Sequence, residues 1–333
     1  MRNEKSEYHY LTKFGVLKGF NKSHIDNTKR TFLVLDSSVC LDIVNIINKK
    51  NINKISKRKA FELIKYSQKK SMPIFELFAS LELSINKITQ QLDENKFLDF
   101  SRKIKFAFQV PLKDLKKNNF NFSMNSYPDI KMNNNVTSFV DQIYVHYCVL
   151  LKIREIASNG LGKQKSKKNI TQFLDWMDFK LGIILGLEYQ LALQIFGGNT
   201  NFNTMIKENS NKERTLKALW GSAWDLLHAR VSRNSSQLSE IVNEDINSIL
   251  VTNDKRLHEL LAPQIEFASE FDRTKISITD GKENYPPHYD DDFISELNQR
   301  IIKIFEKREL NSPNYPKNSI IKNLIKNLEE KIK

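Results

Sequence analysis

The sequence predicts an α/β protein whose parallel sheet is interrupted by a large helical insertion. Three observations carry that expectation. Phe32-Leu33-Val34-Leu35 is a continuous apolar run that ends in Asp36, which reads as a buried strand of a parallel sheet with an acid at its carboxyl end. A second run of the same kind, Ser248-Ile249-Leu250-Val251-Thr252-Asn253-Asp254, comes more than two hundred residues later. Between them, residues 95–210 carry almost only helical periodicity. Open α/β sheets place their ligands at the carboxyl ends of strands, so Asp36 and Asp254 are the first candidates for a site.

The chain has 333 residues and 40% hydrophobic content, enough for a sizeable core. No apolar run approaches the ~20 residues of a membrane span, and residues 1–30 hold no signal-like apolar segment. Two cysteines, Cys40 and Cys148, sit in apolar stretches and read as small core residues of a protein from a reducing, cytoplasmic compartment. Lys and Arg outnumber Asp and Glu by 52 to 39, a net charge of +13, which favours a polyanionic partner such as nucleic acid. The same Lys-, Asn- and Ile-rich bias also fits an AT-rich genome, so the position of the charge matters more than its sum.

Residues 1–30 are a polar lead-in with scattered aromatics. Residues 31–36 form the first expected strand, and 38–48 a helix. Lys49 to Lys70 holds nine basic residues and one acid, Glu62, over an Ala60, Leu63, Ile64 stripe. This is a helix with a basic outer face, either a solvated surface or a phosphate-facing strip. Pro73 is placed to open the next helix. There Phe75, Phe78, Glu82 and Ile85 share one face. Buried without compensation Glu82 costs several kcal/mol, so it needs a cation, metal or water beside it.

In the insertion, Phe106–Val110 is a possible short strand and 113–135 an Asn-rich loop. Residues 136–158 form a long helix closed by Asn159-Gly160. Lys163–Lys168 is a basic loop, and 170–196 is a second long helix ending at Gly197-Gly198. Residues 212–232 are helical, 249–253 a strand, 255–261 a short helix and 265–268 a last strand. Helices at about 291–308 and 318–332 form a C-terminal appendage. The division is therefore a lead-in (1–30), a sheet domain in two parts (31–94 and 211–274), an insertion (95–210) and an appendage (275–333).

Asp225, among small and apolar neighbours, joins Asp36, Glu82 and Asp254 as a fourth acid able to point inward. Four carboxylates share a small cleft only when a hard cation offsets them, and Mg²⁺ or Mn²⁺ suit such ligands. The set then suits metal-assisted hydrolysis of phosphate esters. Caps and surface pairs are the bland alternative for the same four acids. Ser38 and Thr252 could bind a metal-held water or orient a carboxylate, or simply cap, and Asn253 could support Asp254 or contact phosphate; Ser38 and Asn253 are counted among the candidate substrate-binding residues. Arg230, Lys255 and Arg256 are candidates for phosphate contacts. His228, three residues after Asp225, reads as a packing residue before a catalytic one. No Gly-rich phosphate loop and no zinc-ligand spacing occur.

Asp36-Ser37-Ser38 after an apolar strand resembles the opening motif of PIN-domain nucleases. Ala223-Trp224-Asp225-Leu226-Leu227-His228-Ala229 is similar to their third-acid helix, and Leu250 to Leu257 to their closing strand and acid. Glu82 falls where the second acid is expected, with Glu76 on the same predicted helix as its competitor. The resemblance spans roughly 30–92 and 212–270. It implies an α/β/α sandwich with a central parallel sheet. It also implies Mg²⁺- or Mn²⁺-dependent endonuclease activity at Asp36, Glu82, Asp225 and Asp254, with RNA ahead of DNA as substrate. The insertion has no counterpart in that family. Two rivals are a non-catalytic module of the same fold that binds nucleic acid or protein, and a structure-specific DNA nuclease. A protein partner or a homo-oligomer is compatible with each.

Overall fold

The computed structural model describes residues 8–12, 15–16, 28–86, 89, 91–123, 134–206, 211–233, 235–261, 264–266, 277–279, 286–309 and 316–332. The protein is mixed α/β. It divides into two compact units, one of residues 1–135 and 228–262, the other of residues 136–227 and 263–333.

The first unit is built on a five-stranded sheet of β1 (His9–Thr12), β2 (Gly15–Val16), β3 (Arg30–Leu35), β4 (Ile74–Phe75) and β5 (Ile246–Thr252), in the order β2-β1-β5-β3-β4. The apolar runs of β3 and β5 pair in parallel, Arg30 with Ile246 through Leu35 with Val251. β4 adds to β3 in parallel, while β1 pairs with β5 and β2 with β1 antiparallel. The sheet is therefore mixed rather than wholly parallel. Its antiparallel edge comes from the lead-in, where Tyr8, Tyr10 and Leu11 are buried.

Alternation along the strands assigns the faces. Leu33, Leu35, Ile249 and Val251 share a core with helices that include α1 (Ser37–Ile47), α2 (Lys54–Lys70) and α4 (Glu94–Gln109). α1 buries Val39, Ile43, Ile46 and Ile47 at helical spacing. α2 is capped by Asn53, which accepts from Ile55 N–H at 2.7 Å, and buries Ala60, Phe61, Leu63 and Ile64. The opposite face, bearing Val34, Ser248 and Leu250, meets residues at the end of a long helix, α10 (Lys212–Arg233), where Ser248 Oγ donates to the Ser232 carbonyl. α11 (Ser235–Val242) also packs on β5. With both faces covered, the continuous apolar strands are accounted for.

Several local expectations change. Pro73 does not start a helix; its carbonyl accepts from Leu33 N–H at 2.9 Å, and β4 follows. The next helix, α3 (Leu77–Ser84), begins only at Leu77. Phe106–Val110 is no strand but the end of α4 and its cap, with Ile104 and Ala107 in the sheet's core. α5 (Leu112–Lys116) occupies part of the expected loop, and Leu115 buries in that core too. Residues 124–133 lie outside the described residues. The compact units thus count α4 and α5 with the sheet, not with the helices that follow.

The second unit is helical: α6 (Asn134–Ala157, counted here from residue 136), α7 (Lys163–Trp176), α8 (Gly186–Phe196), a short α9 (Asn203–Ile206), α10 up to Leu227, α13 (Asp291–Glu309) and α14 (Asn318–Lys331). α6 is closed by Gly160 at φ +107, as its Asn-Gly ending predicts. Lys163–Lys168 is helical, because Ser166, Asn169, Ile170 and Phe173 form a buried stripe. The expected 170–196 helix is split by a π-helical turn (Met177–Leu181) and by Gly182 at φ +78, before α8 begins. The C-terminal helices belong to this unit: Tyr147 Oη donates to Glu329 Oε1 at 2.7 Å, and Lys167 pairs with Asp290 at 2.6 Å. The strand expected at 265–268 is β6 (Gln264–Glu266), in an antiparallel ribbon with β7 (Ser277–Thr279) apart from the main sheet; 267–268 lie outside the described residues. α12 (Lys255–Leu261) completes the sheet unit. Cys40 and Cys148 are buried and unbridged. Among the described residues no helix is long and apolar enough to cross a membrane.

Candidate metal centre

Asp36 continues the β3 alternation by one residue. Its N–H donates to the Val251 carbonyl at 3.0 Å, so it stays in the ladder and its side chain turns to the face away from α1. It is also the N-cap of α1, yet its carboxylate makes no capping bond. Oδ2 instead accepts from Ser38 Oγ and Thr252 Oγ1, both at 2.8 Å, and Oδ1 lies 3.4 Å from His228 Nδ1. Asp36 is 2% exposed. Burial pushes its pKa up, but the His228 contact and the two hydroxyl donors outweigh that and hold it below the usual range.

Glu82 sits on the buried face of α3, and its Oε2 lies 3.9 Å from His228 Nε2. His228, fully buried on α10, thus has one ring nitrogen toward each carboxylate. Burial alone lowers an imidazole's pKa. Here the bond to Asp36 and the charges of Glu82 and Asp36 reverse that effect, and the value is raised. Asp36, Glu82 and His228 each offer one ligand atom, and these atoms all lie within 4.8 Å of one another.

The residues expected to complete the site are placed otherwise. Asp254 caps α12: Oδ1 accepts from Arg256 N–H at 2.7 Å and Leu257 N–H at 3.1 Å, and Oδ2 from Arg256 Nη2 at 2.9 Å. It is joined to Asp36 through Thr252, whose Oγ1 accepts from Asp254 N–H at 2.9 Å. Its charge is thus answered by a guanidinium and a helix start. Asp225 is half-buried one turn before His228 on α10, in the stretch counted with the helical unit. Glu76 stands apart from the group, holding Ser101 Oγ at 2.7 Å and Lys105 at 3.2 Å. The grouped set is therefore two carboxylates and an imidazole, not four carboxylates.

Among the expected phosphate contacts, Arg256 is engaged by Asp254, Lys255 pairs with Glu259 at 3.1 Å, and Arg230 is half-buried on α10. Asn253 is exposed and accepts from Lys59 Nζ at 2.6 Å, which brings the basic helix α2 to the end of β5. Sequence reasoning passed over His9 and His258, whose rings lie 4.3 Å apart beside it. Burial, His258 and Lys59 lower the His9 pKa to about 4. His9 stands there because β1 pairs it with Thr252, a register that no motif in the sequence marks.

The donor set fits a divalent cation. Two carboxylates against one imidazolium leave an excess negative charge in a buried place, and against a neutral imidazole they leave two. Oxygen donors with one imidazole nitrogen suit Mn²⁺ better than Mg²⁺, which prefers oxygen alone. Compared with protein-family models, with curated proteins and with solved structures, the chain has no match.

Proposed function

We propose that this chain is a PIN-like, metal-dependent endonuclease that hydrolyses phosphodiester bonds, with RNA as its substrate. The observation that carries the reading is the buried grouping of Asp36, Glu82 and His228 at the carboxyl end of two parallel strands. Asp36 and Glu82 would hold Mn²⁺ or Mg²⁺, with His228 as the third donor in its neutral form. A bound divalent cation supplies hydroxide near neutral pH and offsets charge building on the attacked phosphate. Ser38 and Thr252 fix the orientation of the Asp36 carboxylate, and Glu82 is fixed by the buried face of α3. Lys59 and Asn253, hydrogen-bonded to each other at the end of β5, would meet a phosphate oxygen of the substrate backbone.

A second reading is favoured by Arg256 and His228. His228 answers Asp36 within the cluster and Arg256 answers Asp254 outside it, which leaves less uncompensated charge for a metal to offset and suits a non-catalytic binding module of the same fold. One experiment separates the two. Purified protein is incubated with labelled single-stranded RNA, structured RNA and DNA in Mn²⁺, Mg²⁺ or EDTA. The nuclease reading expects internal cleavage of RNA with metal, strongest in Mn²⁺, and none in EDTA. Binding without cleavage in every metal supports the module.

A further inference from the structure

We infer that the stacked pair His9 and His258 is an acid-sensitive fastening of the antiparallel edge of the main sheet, and that acid releases β1 from β5 ahead of the rest of the unit. The fastening stands whether or not the chain cleaves nucleic acid.

β1 has four residues and pairs with β5 through His9 with Thr252, Tyr10 with Val251 and Leu11 with Leu250. Paired residues of an antiparallel ladder project to the same face, so His9 stands on the Thr252 side of the sheet. There α12 meets it. The His9 and His258 ring centroids are 4.3 Å apart, the planes tilted by 34°, and both residues are half-buried. Beyond β1 the sheet has only the two residues of β2. An edge this short opens locally more readily than the central pair β3 and β5.

The surroundings suit two neutral rings and not two charged ones. α2 brings Lys59 to the pair, α12 brings Lys255 and Glu259, and Asp254 follows β5; β2 carries no charged residue. Asp254 is engaged by Arg256 at 2.9 Å and Glu259 by Lys255 at 3.1 Å. Among the described residues no carboxylate hydrogen-bonds to either ring. A proton added to one ring therefore gains no bonded partner, and protons on both set two like charges in contact. Burial, His258 and Lys59 outweigh Asp254 and hold His9 down at about 4, and burial holds His258 down as well.

A histidine freed by opening takes up a proton at its ordinary 6.5, whereas His9 in the closed contact does so only near 4. Closure is therefore fully favoured above 6.5 and weakens as the pH falls toward 4. The gap between those two values favours opening roughly 20-fold more at pH 5 than at pH 7, and His258 acts in the same direction. On the other face Tyr8 Oη donates to Asp42 at 2.8 Å, a bond that a protonated carboxyl still accepts. Opening uncovers the β5 edge at Thr252, the residue that donates to Asp36.

Hydrogen exchange of the full chain in EDTA, read by mass spectrometry at pH 7 and pH 5 and corrected for intrinsic exchange, tests this. The β3 amides report opening of the whole unit. From pH 7 to pH 5 the parent should lose roughly 20-fold more protection in β1 than in β3. His9→Phe with His258→Phe keeps two rings in contact and removes both protonation sites, so its β1 and β3 should change in parallel. His9→Gln, which asks no room for a ring, should lose most of the acid-specific drop and serves if the double variant does not fold. Parallel change of β1 and β3 in the parent overturns the inference. So does an acid-specific loss in these variants as large as the parent's.

Discussion

Thr252 Oγ1 donates to Asp36 Oδ2 at 2.8 Å, tying the ends of β5 and β3 by their side chains as the ladder ties them by backbone. The same hydroxyl accepts from Asp254 N–H, so one fully buried threonine positions one acid directly and another through its backbone. Thr252→Val keeps the shape and removes both bonds. It should destabilise the protein by about 1–3 kcal/mol, the cost of a charged buried acceptor losing a donor. Urea denaturation checks this; a change below ~0.5 kcal/mol would mean that the bond does not hold Asp36.

The metal-free protein should show a stability plateau set by His228 and Asp36. The pKa of His228 is raised from 6.5, so the stability from its imidazolium is complete below 6.5 and lost as pH climbs through the folded value. The pKa of Asp36 is lowered from 3.8, so its contribution is complete above 3.8 and lost as pH falls through the folded value. For these groups stability should be greatest between ~pH 4 and 6.5 and decline on the alkaline side. His228→Gln should remove that decline. Denaturation midpoints in EDTA against pH test it, and a parent with no alkaline decline contradicts the pairing.

Glu82→Gln and Glu76→Gln should part company. Glu82 faces His228 in the grouped site, and its loss should weaken Mn²⁺ binding measured by calorimetry. Glu76 holds Ser101 and Lys105 of α4. Its loss should cost about 1 kcal/mol of stability and leave Mn²⁺ affinity at the parental value. The reverse pattern would reassign the second acid to Glu76.

Asp254→Asn should leave the fold within ~1 kcal/mol of the parent, because asparagine caps helices as well as aspartate and the Arg256 pair is half-exposed. If the charge of Asp254 serves the metal, cleavage falls while folding survives. If Arg256 consumes that charge, cleavage is unchanged. Comparison with Arg256→Gln, which removes the guanidinium and leaves the carboxylate, separates these cases.

The two strands that end beside Asp36 and Thr252 were legible because each is a continuous apolar run of strand length closed by a polar residue. Glu82 was legible because a carboxylate in an apolar stripe needs a partner. His228 was undervalued: a lone histidine on an apolar helix face usually packs, and nothing in the sequence shows that its two nitrogens face two carboxylates from distant segments. β1 and β2 were missed because strands of four and two residues carry too little period-two signal. The expected 170–196 helix breaks at Gly182, whose φ of +78 leaves the helix, while apolar spacing continues on either side of it. Pro73 fits a helix start and a strand start equally, and tertiary pairing with β3 decides between them.

The most direct test is cleavage of single-stranded RNA by the parent and by Asp36→Asn in Mn²⁺, with binding to the same RNA measured in EDTA. Asparagine keeps the shape of Asp36 and removes the charge that the site is built around. The account predicts Mn²⁺-dependent internal cleavage by the parent, a fall of more than ~100-fold in Asp36→Asn, beyond what supporting residues around a metal usually cost, and unchanged RNA binding. Equal cleavage by the two proteins, or a parent that neither binds Mn²⁺ nor cleaves, would contradict it.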